Sequence, residues 1–145
     1  MKVIDFMEKD VTAIFIDETV EEFIQACARQ FRAGMPVVDS EMYVIGVITE
    51  SDIIHAIVPS YMEMLHSTSF IPDTDIVKER LEDIKNKSIS EFMSRKVDVL
   101  KTTDTLLSAA ALIIKHGYRF VPVIDEENHL VGIVTRAGLL KALLK

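Results

Sequence analysis

The run Thr49-Glu50-Ser51-Asp52 sets a hydroxyl three residues ahead of a carboxylate, directly after the apolar stretch Val44-Ile45-Gly46-Val47-Ile48. In that place the pair reads first as a helix start, with Thr49 as N-cap and Asp52 answering it from the first turn. Arg119 lies between Tyr118 and Phe120 and reads either as a surface cation with an ion-pair partner or as a contact for an anion. Metal and nucleophilic chemistry find little support. His55, His66, His116 and His129 show no spacing that would bind zinc. Cys27, the one cysteine, sits among apolar residues at helical spacing. The acidic clusters Asp17-Glu18 and Asp125-Glu126-Glu127 fall at turns, where solvated charge is the default. No phosphate loop, dinucleotide-binding glycine motif or nucleophile elbow occurs. The residues predict a protein that binds rather than an enzyme, with no catalytic cofactor and no metal site.

The bulk numbers narrow the classes further. A chain of 145 residues buries roughly 70% of its unfolded surface, enough for a proper core. The net charge of -7 repels phosphodiester backbones, so a nucleic-acid partner is not expected. A small anionic ligand needs only one well-placed cation and a few N–H groups, and the overall charge does not exclude it. A single cysteine forms no intramolecular disulfide and fits a reducing compartment. The N-terminus lacks a signal-peptide apolar run, and no stretch reaches about 18 apolar residues. The expectation is a soluble, cytoplasmic protein with no membrane contact.

Self-similarity organises everything else. Phe6-Met7 falls on Phe92-Met93, an offset of 92 − 6 = 86 residues, and no gap is needed afterwards. Met35-Pro36-Val37-Val38-Asp39 falls on Val121-Pro122-Val123-Ile124-Asp125. Val44-Ile45-Gly46-Val47-Ile48-Thr49 falls on Leu130-Val131-Gly132-Ile133-Val134-Thr135. Chance does not hold Pro, Asp, Gly and Thr in register around matching apolar runs, so the chain carries an internal duplication.

Within each copy the hydrophobic period changes. Val11 to Ile16 is a β-branched run that predicts a strand. Val20, Phe23, Ile24, Cys27 and Phe31 recur at three- and four-residue steps, predicting an amphipathic helix up to Ala33. Pro36 opens a second apolar run that turns at Ser40-Glu41-Met42 and returns as an antiparallel strand, Tyr43 to Ile48. A last helix follows Thr49 through Val58. A strand–helix–strand connection is right-handed and places the first two strands parallel. The predicted fold class is mixed α/β (α+β): two β-α-β-β-α units about a pseudo-twofold axis. Neither unit closes its own core, so each covers the other, and the seam between them is where a ligand cleft would lie.

The copies span residues 1–58 and 88–145, with 59–87 as an insertion too long for a bare loop. Pro59 to His66 predicts an extension of the preceding helix or a short helix of its own. Asp73-Thr74-Asp75 offers N-cap chemistry for a helix carrying Ile76 or Val77, Leu81 and Ile84 on one stripe.

The pattern PVVD…YVIGVITESDII, repeated as PVID…HLVGIVTRAGLL after an amphipathic helix, resembles the CBS domain, which occurs in tandem pairs called Bateman modules. The resemblance covers residues 3–57 and 88–144. It implies a regulatory module that senses an adenosine-containing ligand (AMP, ADP, ATP or S-adenosylmethionine, with or without magnesium), forms a homodimer, and signals to an effector protein in trans. It also implies the site. The Thr-x-x-acid element is Thr49 to Asp52, with Asp52 on the ribose hydroxyls and Thr49 on ribose or phosphate. The adenine slot falls on Thr12 and Ala13 and on Ala33, Gly34 and Met35, with Val47 as its wall. Small Ala33 and Gly34 leave room for a flat base. The second copy departs from the pattern, with Gly138 where the acid belongs and Tyr118-Arg119-Phe120 in place of the small residues. Arg119 stands where the family's partner domain reaches across to a phosphate. The resemblance thus implies one competent site, shared between the copies. The rival reading is a ligand-free dimerisation or scaffold module whose site is vestigial.

Overall fold

The computed structural model describes residues 1–30, 32–59 and 75–144. A short helix α1 (Val3–Phe6) precedes β1 (Ile14–Phe15), α2 (Val20–Gln30), β2 (Gly34–Val38), β3 (Val44–Thr49) and α3 (Glu50–Ile57). Helix α4 (Ile76–Ile84) and a 3₁₀ turn (Ile89–Glu91) follow. The second copy then supplies β4 (Leu100–Lys101), α5 (Leu106–His116), β5 (Phe120–Ile124), β6 (Leu130–Thr135) and α6 (Arg136–Leu143). Each copy forms its own three-stranded sheet, ordered β1-β2-β3 and β4-β5-β6. The first two strands of each sheet run parallel and the last two antiparallel, as the crossover and hairpin readings require.

The first strand of each copy is shorter than the sequence predicts. Val11 to Ile16 yields only Ile14–Phe15, paired with Val37 and Val38. In the second copy Leu100–Lys101 pairs with Val123 and Ile124. Both ladders lie just beyond the proline of the partner strand, Pro36 or Pro122, which has no N–H to donate. Helix α2 ends at Gln30 rather than Ala33, because the chain must already extend to pair Gly34 with Thr49. Pro59 stops α3, which ends at Ile57 with Val58 as its C-cap.

The hairpin turns are matched in both copies. Asp39 Oδ1 accepts from the N–H groups of Glu41 and Tyr43, and Asp125 Oδ1 from those of Glu127 and His129. Met42 and Asn128 then take left-handed backbone, with φ of 69° and 68°. Asn tolerates that region, whereas Met bears a Cβ penalty there.

Two apolar cores result. One holds Ile14, Val20, Phe23, Met35 and Ile48 with Ile89; the other holds Leu100, Ala109, Val121 and Val134 with Val3. Ile89 and Val3 come from the opposite copies. The leading segment of each copy crosses the seam and lies on the other copy's sheet. Glu8 exchanges both backbone hydrogen bonds with Ile133, at 2.8 and 3.0 Å, and Ser94 does so with Val47, at 2.9 and 3.0 Å. Gly46 and Gly132 permit these approaches, since a Cβ there would sit 2.6 Å from the Ser94 carbonyl or 2.7 Å from Met7 Sδ. Tyr43 and His129, equivalent under the 86-residue offset, bridge to each other with rings stacked 4.8 Å apart and so mark the pseudo-twofold axis.

Helix α4 lies against α3 and the first core through Leu81 and Ile84. The Arg80 guanidinium donates to the Ala56 carbonyl at 3.3 Å. The carbonyls of Lys85 and Lys87 accept from Glu21 and Val20 at the start of α2. Asp75 sits at its N-cap position without a side-chain cap bond. Past Pro59, the rest of the helix expected up to His66, together with Asp73 and Thr74, lies outside the described residues, as does Phe31.

Candidate functional site

Thr49 ends β3 and begins α3, so its side chain stands at the rim of the seam. Its hydroxyl accepts the Asp52 N–H at 3.4 Å while Asp52 Oδ2 accepts the Thr49 N–H at 2.8 Å and lies 3.2 Å from the Thr49 hydroxyl. This is a closed capping box, and it uses one of the two Asp52 carboxylate oxygens. In the second copy Thr135 caps α6 by accepting the Gly138 N–H at 2.9 Å, with no carboxylate to answer it.

Beside Thr49 a cavity of about 410 Å³ opens between the copies. From the first copy it is walled by Ala33, Val47, Thr49, Glu50, Ser51 and Ile54. From the second copy come Lys96, Val97 and Asp98, then Gly117 to Phe120, and Pro122. The volume lies in the range of small-ligand sites, roughly 300–1,000 Å³. Among the described residues, neither Lys96 nor Arg119 has an ion-pair partner. Asp98 is engaged instead. Tyr118 donates its hydroxyl to Asp98, stacks on His116 with centroids 5.0 Å apart, and His116 Nε2 stands 3.7 Å from the same carboxylate. The bond to Asp98, reinforced by burial, pushes the Tyr118 phenol up to about 12, so it remains a neutral donor. The cavity thus combines an apolar and aromatic wall with two cations, Lys96 and Arg119, and the carboxylate of Glu50. No described cluster of three or more His, Cys, Asp or Glu could hold a metal ion.

The site residues read from the sequence divide into two sets. Ala33, Val47, Thr49 and Arg119 meet at this cavity. Thr12, Ala13 and Met35 do not; they line a separate hollow of about 280 Å³ against α2, with Glu18, Glu22 and Arg29. Gly34 and Asp52 are not among the walls of either. Gly34 is small because a Cβ there would stand 2.6 Å from the Ile48 carbonyl, a demand of strand pairing. The hollow is lined by the first copy alone, whereas the cavity takes residues from both. Val97-Asp98, equivalent to Val11-Thr12 under the offset, presents itself to the seam beside Thr49. Lys96 and Asp98 had no local signal in the sequence; applying the 86-residue offset to a swapped arrangement would have found them.

A family model described as the CBS domain matches residues 3–59 and again residues 89–145. MJ1426 from Methanocaldococcus jannaschii is 31% identical over 157 aligned residues, which span 99% of this chain and 92% of that one. CBSX2 in complex with AMP superimposes with a TM-score of 0.76 at 21% identity, covering 99% of this chain and 96% of that one; CBSX2 is from Arabidopsis thaliana. Inosine-5'-monophosphate dehydrogenase from Methanocaldococcus jannaschii is 28% identical over 92% of this chain, which spans 22% of that protein.

Proposed function

Since the chain belongs to the CBS-domain family, with two copies of the domain in tandem, we propose that it is a regulatory module whose cavity beside Thr49 takes an adenosine nucleotide. The observation that carries this reading is the pair of unpartnered cations, Lys96 and Arg119, at one cavity with an apolar and aromatic wall. A purine lies against Val47, Val97 and Tyr118, and the phosphates meet the two cations. Asp52, although not itself a wall of the cavity, stands in the same turn just behind Thr49 and Ser51 and keeps one carboxylate oxygen outside its capping bonds for a ribose hydroxyl that reaches past them. The AMP seated in CBSX2, a protein of the same fold, supports an adenine nucleotide as the ligand class. The alignment to the dehydrogenase spans only a small part of that enzyme, which supports a regulatory rather than a catalytic role. The output passes to an effector in trans, and ligand acts by preferring one arrangement of the copies or of two subunits. A homodimer forms through the exposed apolar residues of α5 and α6.

Isothermal titration with AMP, ADP, ATP with and without magnesium, S-adenosylmethionine and, as a control, GTP tests this. One adenosine ligand should bind, and Arg119→Ala or Lys96→Ala should weaken it about tenfold or more, the worth of a charge-assisted hydrogen bond. Absence of binding by every adenosine ligand at millimolar concentration sinks the reading. The engagement of Asp52 in the capping box then favours the second reading, a scaffold module with a vestigial site.

A further inference from the structure

The first turn of α3 faces the cavity with Thr49, Glu50 and Ser51, and Ile54 follows one turn after Glu50 on the same face. A helix N-terminus ordinarily draws an anion. Here the first turn carries its own carboxylates, Glu50 and Asp52, and Asp52 is held in the capping box. Glu50 is not. Its backbone N–H donates to the Ala33 carbonyl at 2.7 Å. Among the described residues its exposed carboxylate accepts no hydrogen bond and has no ion-pair partner. The 86-residue offset sets Arg136 at the same place in the second copy. There the guanidinium turns to the end of α5, donating to the Gly117 and Tyr118 carbonyls at 2.5 and 2.8 Å. The two copies thus use one position oppositely: Arg136 closes a helix end, and Glu50 stands at the cavity as an unengaged charge.

The wall therefore carries two cations, Lys96 and Arg119, and two carboxylates, Glu50 and Asp98. A terminal phosphate carries about two negative charges at neutral pH, which the two cations balance. Each further phosphate adds charge for which the wall has no cation left. Between protein walls a carboxylate repels that charge more strongly than it would in open water. Asp98 accepts the Tyr118 hydroxyl, so Glu50 is the carboxylate whose field a ligand's tail meets without a partner to offset it. We propose that Glu50 is a specificity-determining residue, which admits an adenosine ligand with a single phosphate and disfavours a di- or triphosphate tail. The inference rests on the proposed function for the ligand class and adds to it the phosphate count.

Isothermal titration of the full chain with AMP and with ATP, both without magnesium, tests it in wild type, Glu50→Gln and Glu50→Asp. The quantity compared is the ratio of the two affinities, which a general loss of packing would not move. Wild type should prefer AMP by about tenfold or more, and Glu50→Gln should shrink that preference about fivefold. Glu50→Asp keeps the charge and should preserve most of the preference. A wild type that binds ATP as tightly as AMP overturns the inference, and so does a ratio that Glu50→Gln leaves unchanged; in both cases the proposed function stands. If neither nucleotide binds, this inference falls, and the proposed function falls with it unless S-adenosylmethionine binds. Should Glu50→Gln fail to fold, Glu50→Ala is read the same way.

Discussion

The Asp52 carboxylate has one duty that its hydrogen bonds show and a second that is proposed for it. Its capping bonds stabilise α3, and removing such a group costs about 1 kcal/mol. Asp52→Ala should therefore lower stability by about that amount in urea melts, whether or not a ligand exists. A loss of thermal shift in this variant would mix the two effects, so its affinity has to be measured directly, by titration. Cys27 permits a cleaner experiment. Burial, then the nearby Glu50 charge, pushes its thiol up to about 11 from the ordinary 9.0. The folded chain holds a proton that the unfolded chain loses above about pH 9, so stability should fall as pH rises from 9 toward 11. Tyr118 adds to the same fall at higher pH, so the measurement is urea melts of wild type against Cys27→Ala, whose curve should be flatter in that window. The capping role of Thr49 and Asp52 was legible in four residues because caps are local. Lys96 and Asp98 were not, because their place beside Thr49 depends on a crossing that no local pattern encodes.

At the level of elements, the hairpins offer a comparison inside one chain. Met42 holds the left-handed position that Asn128 holds in the second copy. Met42→Asn should stabilise the protein by about 1 kcal/mol, and Met42→Gly by a similar amount less the backbone entropy of glycine. Chemical denaturation of the three proteins checks it. The crossing segments carry a second prediction. Val3 is fully buried in the second core, and Val3→Ala should cost about 2 kcal/mol. Hydrogen exchange should speed up first in α5, β5 and β6, not in α2, although Val3 belongs to the first copy in sequence. The sequence read the element types and their order well, since period and proline placement are strong signals. It overran β1 and α2, where a missing N–H donor and the pairing of Gly34 with Thr49 decided the ends.

On the scale of the whole molecule, the outer helix faces of the two copies are unlike. Leu107 and Ile114 of α5 are 77% and 82% exposed, where the first copy has Glu21 and Ala28. On the first copy α4 covers part of the corresponding face with Leu81 and Ile84. With Leu140 and Leu143 exposed on α6, the α5–α6 face is the apolar surface that the proposed dimer would bury. Ile114→Glu should shift sedimentation equilibrium from dimer to monomer; a wild type that sediments as a monomer at tens of micromolar removes the dimer. The duplication was legible at once from the offset, and the pseudo-twofold axis followed from it. The exchange of leading segments was not, because either sheet accepts either segment on local grounds. That exchange has a consequence for how the chain is made. When residues up to α3 have left the ribosome, the first sheet still lacks Ile89 and the Ser94 edge, which lie a further three dozen or so residues along the chain. Residues 1–8 have emerged as well, but the surface they belong on does not yet exist. The first half gains its complement once Ser94 has emerged, whereas residues 1–8 wait for β5 and β6, so the two leading segments should dock in order, Ile89 to Ser94 first and residues 1–8 last.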